Sequence, residues 1–589
     1  MIEANKKWLA EANKNLLESY VEPPTHEPAQ DPPPLSLVKI THEDRPPKPD
    51  RDYISPGFYQ SQRSNILETE DLKPSRINFL VIVGLDGGYD ALRLEHTPIK
   101  HAIVVEPSIE SFNHSLSVVD WPKFINRLEC AGGSFFFHIG PLTDNIKRSI
   151  TSHILGVGVF NGSNTFMSVD NNPVSGEVLK DVMGCFQGAV SSLGFYDDER
   201  VGLAHSIPKI SATFLSETRP PVIDRPIVVC GNGPSLTEAL PQIRKKRDQI
   251  TLMSCGSTMG TLYKEGIKPD FHIEQERPLS ACLWLERTTT PEFRKGVQCI
   301  ALNVVHPKIR ELFDDVAYAL KANDLGTTVI TSVAKSLPVL YNVNPMVSNA
   351  GVSIAANLGF KNIYLVGIDC AFSASGASHA EGHDPLVVKP NTLTTRGSFG
   401  GEVGTNPAYN SSREAVEAVI SYHRETKFFN FGSGAYIHGA RPVRKIRSSS
   451  SAPVDVTHLL RPQSYTIDKA ALQREFTANI YKLRQLAISF PDECSGIDEA
   501  YFFINQFHRA LMEIMRKNRL FWYLVKGTLS TQLMFLAGCA EVSLPHFDKA
   551  SAIFKELVAS MQDDINRRLF EFDVWGDYSR LPEDINESM

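Results

Sequence analysis

The sequence predicts a mixed α/β fold with an N-terminal α/β domain, a central Rossmann-like domain and a C-terminal helical bundle. Two segments alternate buried strands, glycine turns and helices, which is typical of parallel sheets. A third, 465–570, has few glycines or prolines and places apolar residues at helical spacing. At 589 residues the chain also exceeds the size of one hydrophobic core. The predicted boundaries are 1–75 (a helix and a Pro-rich segment), 76–210, 226–445 and 455–589.

A helix is predicted over 1–20. It is followed by a Pro-rich stretch, Pro23–Pro49, that cannot be regular secondary structure throughout, and the N-terminal α/β domain comes next. Its first strand, Asn78–Val83, leads into the glycine turn Gly84–Gly88, and the next strand ends in Glu106. Nucleotide- and S-adenosylmethionine-binding folds share this arrangement. The turn lacks GxGxxG, however, and a tight strand-to-helix turn needs glycine without any ligand. We therefore predict that this turn is structural.

The central domain is predicted from short apolar runs separated by helical segments. Its predicted strands are Pro226–Cys230, Ile250–Ser254, Phe271–Glu274, Gln298–Asn303, Thr328–Thr331 and Asn362–Gly367. Polar stretches at Ser206–Arg225 and Arg444–Ala452 are predicted linkers. The helical spacing of the C-terminal bundle is carried by Leu511, Ile514, Met515, Leu520, Ile553, Leu557 and Met561.

The bulk composition excludes several classes of protein. Hydrophobic residues make up 42% and charged residues 22%, as in ordinary globular proteins. A net charge of -7 argues against nucleic acid as the main partner. Apolar runs such as Ile363–Ile368 are far shorter than the ~20 residues of a spanning helix, so no membrane span is expected. The N-terminus lacks the apolar core of a signal peptide, and the nine cysteines form no CxxC pair, which favours a cytoplasmic protein without disulfides.

The strongest motif directly follows the first strand of the central domain. Two glycines allow the backbone to turn sharply beneath a ligand, and a proline suits the first turn of a helix. The serine adds a hydroxyl near free helix N–H groups, and the asparagine offers both donors and acceptors. A merely structural turn would explain the glycines and proline but not the asparagine. We therefore predict a nucleotide-binding site at Gly231, Asn232, Gly233, Pro234 and Ser235.

Four blocks of the central domain resemble known families. Cys230–Leu236 resembles the nucleotide-binding turn of bacterial sialyltransferases that use CMP-sialic acid, and Gly351–Asp369 is similar to the helix, strand and Gly-Ile-Asp segment of those enzymes. Ser378–Gly382 and Asn430–Gly439 resemble blocks of the motility accessory factor (Maf) flagellin glycosyltransferases. The blocks occur in the family's order across 226–440, and the two flanking domains also suit its three-part build.

The resemblance implies a glycosyltransferase that moves a pseudaminic or legionaminic type of nonulosonic acid from a CMP-activated donor to serine or threonine of flagellin. Such a protein is required for flagellum assembly and motility. Its implied partners are flagellin, with or without an export chaperone, and the CMP-nonulosonic acid. The outer domains would recognise the acceptor protein. The central domain would be a Rossmann-like transferase domain.

Glycosyl transfer from CMP passes through an oxocarbenium-like transition state, so catalysis needs donors around the leaving phosphate and a base for the acceptor hydroxyl. We predict His379 as the base, with Asp369 or Glu381 orienting its ring and with His383 behind it. Open α/β sheets place ligand-contacting groups at the carboxyl ends of strands. On that ground, the predicted lining of the cytidine or sugar side is Ser254, Gly256, Ser257 and Glu274.

Two other functions stay open at this stage. An archaeal-type pterin pyrophosphokinase family shares the central domain, and dependence on ATP and a divalent metal would mark that activity. A non-catalytic motility or secretion factor would bind no nucleotide. His379, Glu381, His383 and Asp384 could also ligate Zn²⁺ or Mg²⁺. We predict no metal site and no cofactor, because hydrogen bonds alone can stabilise departing CMP, although Mg²⁺ remains an alternative.

Overall fold

The protein is described from a computed structural model. The described residues are 77–85, 98–170, 172–380, 393–449 and 452–571, the strands Leu37–His42 and Ser64–Thr69, and positions 4, 5, 7 and 88. The chain divides into two compact units, of which the first is Met1–Tyr196 with Glu475–Asp564 and the second is Asp197–Arg474 with Ile565–Met589. The domain boundaries given above stay predictions.

The strands in the described parts of the chain are β1 (Leu37–His42), β2 (Ser64–Thr69), β3 (Ile77–Val83), β4 (Ile99–Glu106), β5 (Ser134–Ile139), β6 (Thr165–Val169), β7 (Ser211–Leu215), β8 (Ile227–Cys230), β9 (Thr251–Cys255), β10 (Phe271–Glu274), β11 (Gln298–Leu302), β12 (Asp315–Lys321), β13 (Val339–Leu340), β14 (Asn362–Val366), β15 (Leu393–Arg396), β16 (Glu402–Thr405), β17 (Lys427–Phe431), β18 (Ala440–Val443) and β19 (Leu460–Ser464).

The α-helices in the same parts are α1 (Ile109–Val118), α2 (Trp121–Cys130), α3 (Asp144–Val157), α4 (Pro173–Ser191), α5 (Tyr196–Ser206), α6 (Ser235–Lys246), α7 (Thr258–Lys264), α8 (Leu279–Thr288), α9 (Pro291–Arg294), α10 (Ile309–Leu312), α11 (Leu325–Val333), α12 (Val347–Asn357), α13 (Pro407–Tyr422), α14 (Lys469–Ile488), α15 (Ile497–Lys517), α16 (Arg519–Val542) and α17 (Leu544–Arg568). None of these helices has the length and apolar character needed to cross a bilayer.

The first unit contains a six-stranded sheet in the order β2-β1-β6-β3-β4-β5. Strands β3 to β6 run parallel, whereas β1 lies antiparallel to both β2 and β6. Successive residues of β3 point to opposite faces, and both faces are covered. Leu80 packs with α1 and α2 on one face, and Val81 packs with α3 and α4 on the other. The predicted α/β unit with parallel strands is confirmed.

Long helices complete the first unit. Phe507 of α15 and Phe554 of α17 meet edge to face at a ring-centroid distance of 4.9 Å, and both side chains are fully buried. Leu511 and Ile514 continue the same buried stripe of α15. The prediction of C-terminal helices from apolar spacing is therefore confirmed, although Met515 and Ile553 lie on exposed surface.

The second unit is built on an eleven-stranded sheet, whose described path is β18-β17-β14-β8-β9-β10-β11-β12-β7-β19 with β13 beside β12. All neighbouring pairs are parallel except β7 with β19. Leu236 of α6 and Val352 of α12 belong to hydrophobic clusters on opposite faces. Since both faces are covered, the strands consist of the near-continuous apolar runs that the sequence shows.

The run Thr328–Thr331, predicted as a strand, instead lies in α11. Its β-branched residues favour strands, but Asp324 accepts a hydrogen bond from the N–H of Thr327 at 2.8 Å and caps the helix. The Thr328 hydroxyl donates to the carbonyl of Asp324 at 2.8 Å. Local capping and this back-bonding outweigh the β propensity of the run.

Candidate functional site

The carboxyl ends of β8 and β14 form the topological switch point of the second sheet. After β8 the chain adds β9 to β12 on one side, whereas β14, β17 and β18 extend the sheet on the other side. The connections leaving two such neighbouring strands diverge and open a crevice, where open α/β sheets bind ligands. The predicted nucleotide loop follows β8, and the Gly367–Asp369 segment follows β14. These two segments therefore define the candidate site.

Backbone hydrogen bonds lock the two segments together. The N–H of Gly233 donates to the carbonyl of Gly367 at 2.8 Å, and the N–H of Gly367 donates to the Ser235 hydroxyl at 2.9 Å. A Cβ added to Gly231 would lie 2.4 Å from the oxygen of Gly367, and Gly367 itself has φ +63°. The glycines are thus required by the close approach of the two loops.

Asp369 joins the same pair of loops through its side chain. Its Oδ2 accepts a hydrogen bond from the N–H of Ser235 at 3.0 Å, and only 6% of the residue is exposed. Burial raises the pKa of Asp369 to about 6. The hydrogen bonds with Ser235 lower the pKa, but their effect is smaller than that of burial. The loop after β17 closes over this acid, because a Cβ at Gly434 would lie 2.5 Å from the Asp369 carbonyl oxygen.

Asn232 connects the glycine loop to two further segments. Its Nδ2 donates to the Ser257 hydroxyl at 3.2 Å, and its Oδ1 accepts from the Thr261 hydroxyl at 2.9 Å. Its backbone carbonyl accepts from the N–H of Ala380 at 2.9 Å. The structure thus brings together Asn232, Ser257 and the segment that carries His379.

His379 is half-buried next to this segment. Its Nδ1 lies 2.8 Å from the hydroxyl of Ser378, and burial lowers the pKa of its imidazole. Ser378 also hydrogen-bonds the phenol of Tyr409 from α13, whose pKa burial raises. Tyr409 was not among the predicted site residues, because it lies 30 positions further along in a helix without any motif. The predicted residues Glu381, His383 and Asp384 lie outside the described residues.

Ser254 and Glu274 lie beneath the carboxyl edge rather than open on it. Ser254 is fully buried, and its hydroxyl lies 3.0 Å from Nδ1 of His272. Glu274 is 2% exposed, and its Oε1 accepts from the N–H groups of Gln275 and Glu276 at 2.8 and 3.1 Å. Both side chains are therefore buried and form hydrogen bonds within the protein at the strand ends.

A second group of buried charges lies at the ends of β10 to β12. Arg277 is 3.4 Å from Oδ2 of Asp324, and Asn303 donates to Oδ1 of the same carboxylate at 3.1 Å. Glu199 of α5 accepts from the N–H of Leu325 at 2.7 Å. Burial and the Asp324 charge raise the pKa of Glu199 to about 7. The sequence analysis did not predict this network, because its members are far apart in the chain. The contacts of the network connect α5 to the sheet.

The glycine turn of the first unit holds Glu106 in a different setting. Its Oε2 accepts from the N–H of Leu85 at 2.7 Å and from the Ser111 hydroxyl at 2.9 Å. Its Oε1 accepts from the N–H of Ser108 at 2.7 Å. Burial raises the pKa of this carboxyl. The protein's own donors thus engage both oxygens, in keeping with a structural turn.

The parts of the chain that the structure describes contain no group of three or more histidine, cysteine, aspartate or glutamate side chains placed to hold a metal ion. The cysteines are all free, and all but Cys130 and Cys539 are buried. Burial raises the pKa of the Cys230 thiol at the end of β8 well above its usual value. This thiol is therefore a small buried hydrophobe at neutral pH.

Two family models match the chain: the Glycosyltransferase Maf N-terminal domain at residues 36–181, and the 6-hydroxymethylpterin diphosphokinase MptE-like family at 202–375. Comparison with curated proteins gives no match. The chain is similar in structure to the Maf glycosyltransferase from Magnetospirillum magneticum AMB-1, with a TM-score of 0.64 and 22% sequence identity, over 85% of this chain and 82% of that chain. Residues 36–181 thus match the N-terminal domain of Maf glycosyltransferases, and the chain shares the fold of a solved Maf glycosyltransferase.

Proposed function

We propose that this chain is a cytoplasmic glycosyltransferase that moves a nonulosonic acid of the pseudaminic or legionaminic type from CMP to serine or threonine of flagellin, in support of flagellum assembly and motility. The observation that supports this function is the interlocking of the loops Gly231–Ser235 and Gly367–Asp369 at the switch point of the sheet. The sequence of the first loop resembles the CMP-binding turn of sialyltransferases, and the chain shares the fold of a Maf glycosyltransferase.

The donor would bind across the ends of β8 and β9. The glycine loop lies at the start of α6, where the helix dipole favours an anion such as the CMP phosphate. Asn232 and Ser257, joined at 3.2 Å, would contact the nucleoside together with Gly256. Bond cleavage places the electron pair on the phosphate oxygen of departing CMP, and these donors would stabilise that charge.

His379 is the proposed base. As the acceptor hydroxyl attacks the anomeric carbon, its proton would pass to the imidazole. Because burial lowers the pKa of His379, its neutral, proton-accepting form dominates at cytoplasmic pH. The hydrogen bonds that the Ser378 hydroxyl forms with His379 and Tyr409 would hold the ring in place. Asp369 and Glu381 remain the proposed orienting acids.

The test is transfer by the purified full-length chain. It would be incubated with its flagellin and either CMP-pseudaminic or CMP-legionaminic acid, and intact-mass spectrometry would follow the flagellin. The expected result is a mass increase equal to one or more nonulosonic acid residues, together with released CMP. Flagellin from cells lacking the gene should show the corresponding loss. An unchanged flagellin mass with both donors would reject the proposed reaction.

A second candidate is a nucleotide-dependent pyrophosphokinase, which the MptE-like match over 202–375 favours. Such an enzyme would move a diphosphate from ATP to a hydroxymethylpterin and would require Mg²⁺. Incubation with ATP, Mg²⁺ and the pterin, followed by detection of AMP, separates this activity from transfer. A purely non-catalytic motility or secretion factor would release neither AMP nor CMP and would bind no nucleotide in calorimetry.

A further inference from the structure

A hairpin borders the crevice on the β17 side. Strands β15 and β16 follow the loop after β14 and precede α13 in the chain, and they form a separate two-stranded sheet. The N–H of Phe372 donates to the carbonyl of Gly404 at 2.8 Å, which fastens the hairpin to the loop after β14. The N–H of Ser398 donates to the carbonyl of Gly434 at 2.9 Å, which fastens it to the loop after β17. The hairpin is thus held by both loops that surround Asp369.

Two successive backbone hydrogen bonds connect Arg396, the last residue of β15, to Asp369. The N–H of Ala435 donates to the carbonyl of Asp369 at 2.8 Å, and the next N–H, of Tyr436, donates to the carbonyl of Arg396 at 2.8 Å. Backbone segments paired in this way lie about 5 Å apart, so about 10 Å separates Arg396 from Asp369. An extended arginine side chain can span much of that distance.

The guanidinium of Arg396 is oriented by an aromatic ring. Its central carbon lies 4.5 Å from the centroid of the Tyr436 ring, a cation–π geometry. Glu402 is the cross-strand partner of Arg396, yet among the described residues the guanidinium makes no ion pair or hydrogen bond. Arg396 is exposed, whereas Tyr436 is half-buried. Arg396 thus keeps its N–H donors accessible to solvent, on a hairpin bonded to the loops around Asp369.

A CMP-nonulosonic acid carries two anionic groups, the phosphate and the sugar carboxylate. The groups placed in the crevice so far are neutral donors and the buried acid Asp369, so a nearby cation would complement the donor. A guanidinium matches the two oxygens of a carboxylate or phosphate bidentately, and stacking on an aromatic face pre-organises it. We propose that Arg396, held by Tyr436, binds an anionic group of the donor. This inference rests on the proposed function.

The test compares dissociation constants of the full-length protein for CMP and for whichever CMP-nonulosonic acid the wild type binds. Arg396→Met removes the guanidinium but keeps much of the stem, and Arg444→Met is the matched control. Arg444 also stacks on an aromatic ring, 4.2 Å from Phe399, but it follows the edge strand β18. Loss of a charge-assisted hydrogen bond should weaken donor binding about 10- to 100-fold in Arg396→Met and leave Arg444→Met near wild type.

The two ligands also identify the anion. Equal weakening for CMP and the CMP-sugar assigns Arg396 to the phosphate, whereas weakening for the CMP-sugar alone assigns it to the carboxylate; either result supports the inference. Tyr436→Phe, which keeps the ring, should bind as the wild type does, and Tyr436→Leu should bind more weakly. Wild-type affinities in a folded Arg396→Met protein, or equal losses of affinity in Arg444→Met, would overturn this inference and leave the proposed function standing. A wild-type protein that binds neither ligand would overturn both the inference and the proposed donor.

Discussion

The carboxylate of Asp369 accepts a hydrogen bond from the N–H of Ser235 at 3.0 Å, across 134 positions of the chain. This buried acid has a pKa of about 6, above the ordinary value of 3.8. A raised pKa means that the folded state binds a proton that the unfolded state releases, so stability falls as pH rises through that window. Keeping this carboxyl buried between the two loops is therefore costly once it ionises.

We predict that Asp369→Asn stabilises the protein relative to the wild type by more at pH 8 than at pH 5. Asparagine keeps an acceptor for Ser235 and removes the buried charge. Since the folded pKa lies about one unit above pH 5, the pH-dependent difference between the two proteins is about 1.4 kcal/mol. Urea unfolding at both pH values measures it. Asp315→Asn, at the exposed start of β12, controls for the loss of one negative charge, and an equal difference at both pH values would contradict the prediction.

Asn232→Ala should weaken CMP binding while the protein stays folded. Removing a polar partner of a bound ligand costs about 1–3 kcal/mol, which is roughly 5- to 150-fold in affinity. Thr261→Val is the matched control, because it removes only the hydroxyl that donates to Asn232 Oδ1 and should have a smaller effect. Isothermal calorimetry with CMP measures both. Unchanged affinity in a folded Asn232→Ala protein would remove Asn232 from the donor site.

His379→Ala should retain CMP affinity but lose flagellin glycosylation by at least about 100-fold, the lower range for general-base catalysis. His383→Ala should be milder. His423→Ala, which changes another half-buried histidine at the end of α13, is the control and should transfer normally. Because the base acts in its neutral form and its pKa is lowered, the acid limb of the wild-type rate profile should lie below pH 6.5.

Initial rates of flagellin modification, followed by mass spectrometry, measure these effects. Near wild-type transfer by His379→Ala, combined with a large loss in Glu381→Ala or His383→Ala, would place the base elsewhere in the same loop. If none of the three variants matters, the loop is structural and the base lies outside it.

Glu106→Ala should leave donor turnover intact and lower the stability of the first unit. Its carboxylate serves the N–H groups of Leu85 and Ser108, and leaving these without an acceptor costs about 2 kcal/mol or more. Glu110→Ala, on the exposed first turn of α1, is the control and should change neither property. Thermal unfolding and CMP release measure the two effects. Loss of turnover in a folded Glu106→Ala protein would assign a catalytic role to the N-terminal turn.

Much of the central fold could be predicted, because its strands are buried on both faces and are therefore continuous apolar runs. The placement of the glycine loop beside Asp369 also followed from the sequence, since parallel strands end at the same edge of a sheet. At Thr328–Thr331 the apolar, β-branched pattern predicted a strand. The structure has a helix there, because Asp324 caps the helix N-terminus and outweighs the β propensity.

Other parts of the site carry no local signal. Tyr409 reaches Ser378 only because α13 packs against the loop after β14, and Arg396 reaches the rim only because a hairpin folds back onto two loops. Such placements depend on tertiary contacts between segments that no motif or periodicity links. The side chains beneath the surface were likewise unpredictable: Ser254 ends a strand as expected, but its hydroxyl points to His272.

Strand β7 lies within the stretch Ser206–Arg225 that the sequence predicted as a linker, and it covers the side of β12 by parallel pairing. β19, from beyond the second predicted linker, then pairs antiparallel with β7. A recombinant fragment cut at 226–445 would therefore expose the backbone of β12, an apolar edge prone to aggregation. A fragment that keeps this sheet edge covered should begin before Ser211 and end after Ser464.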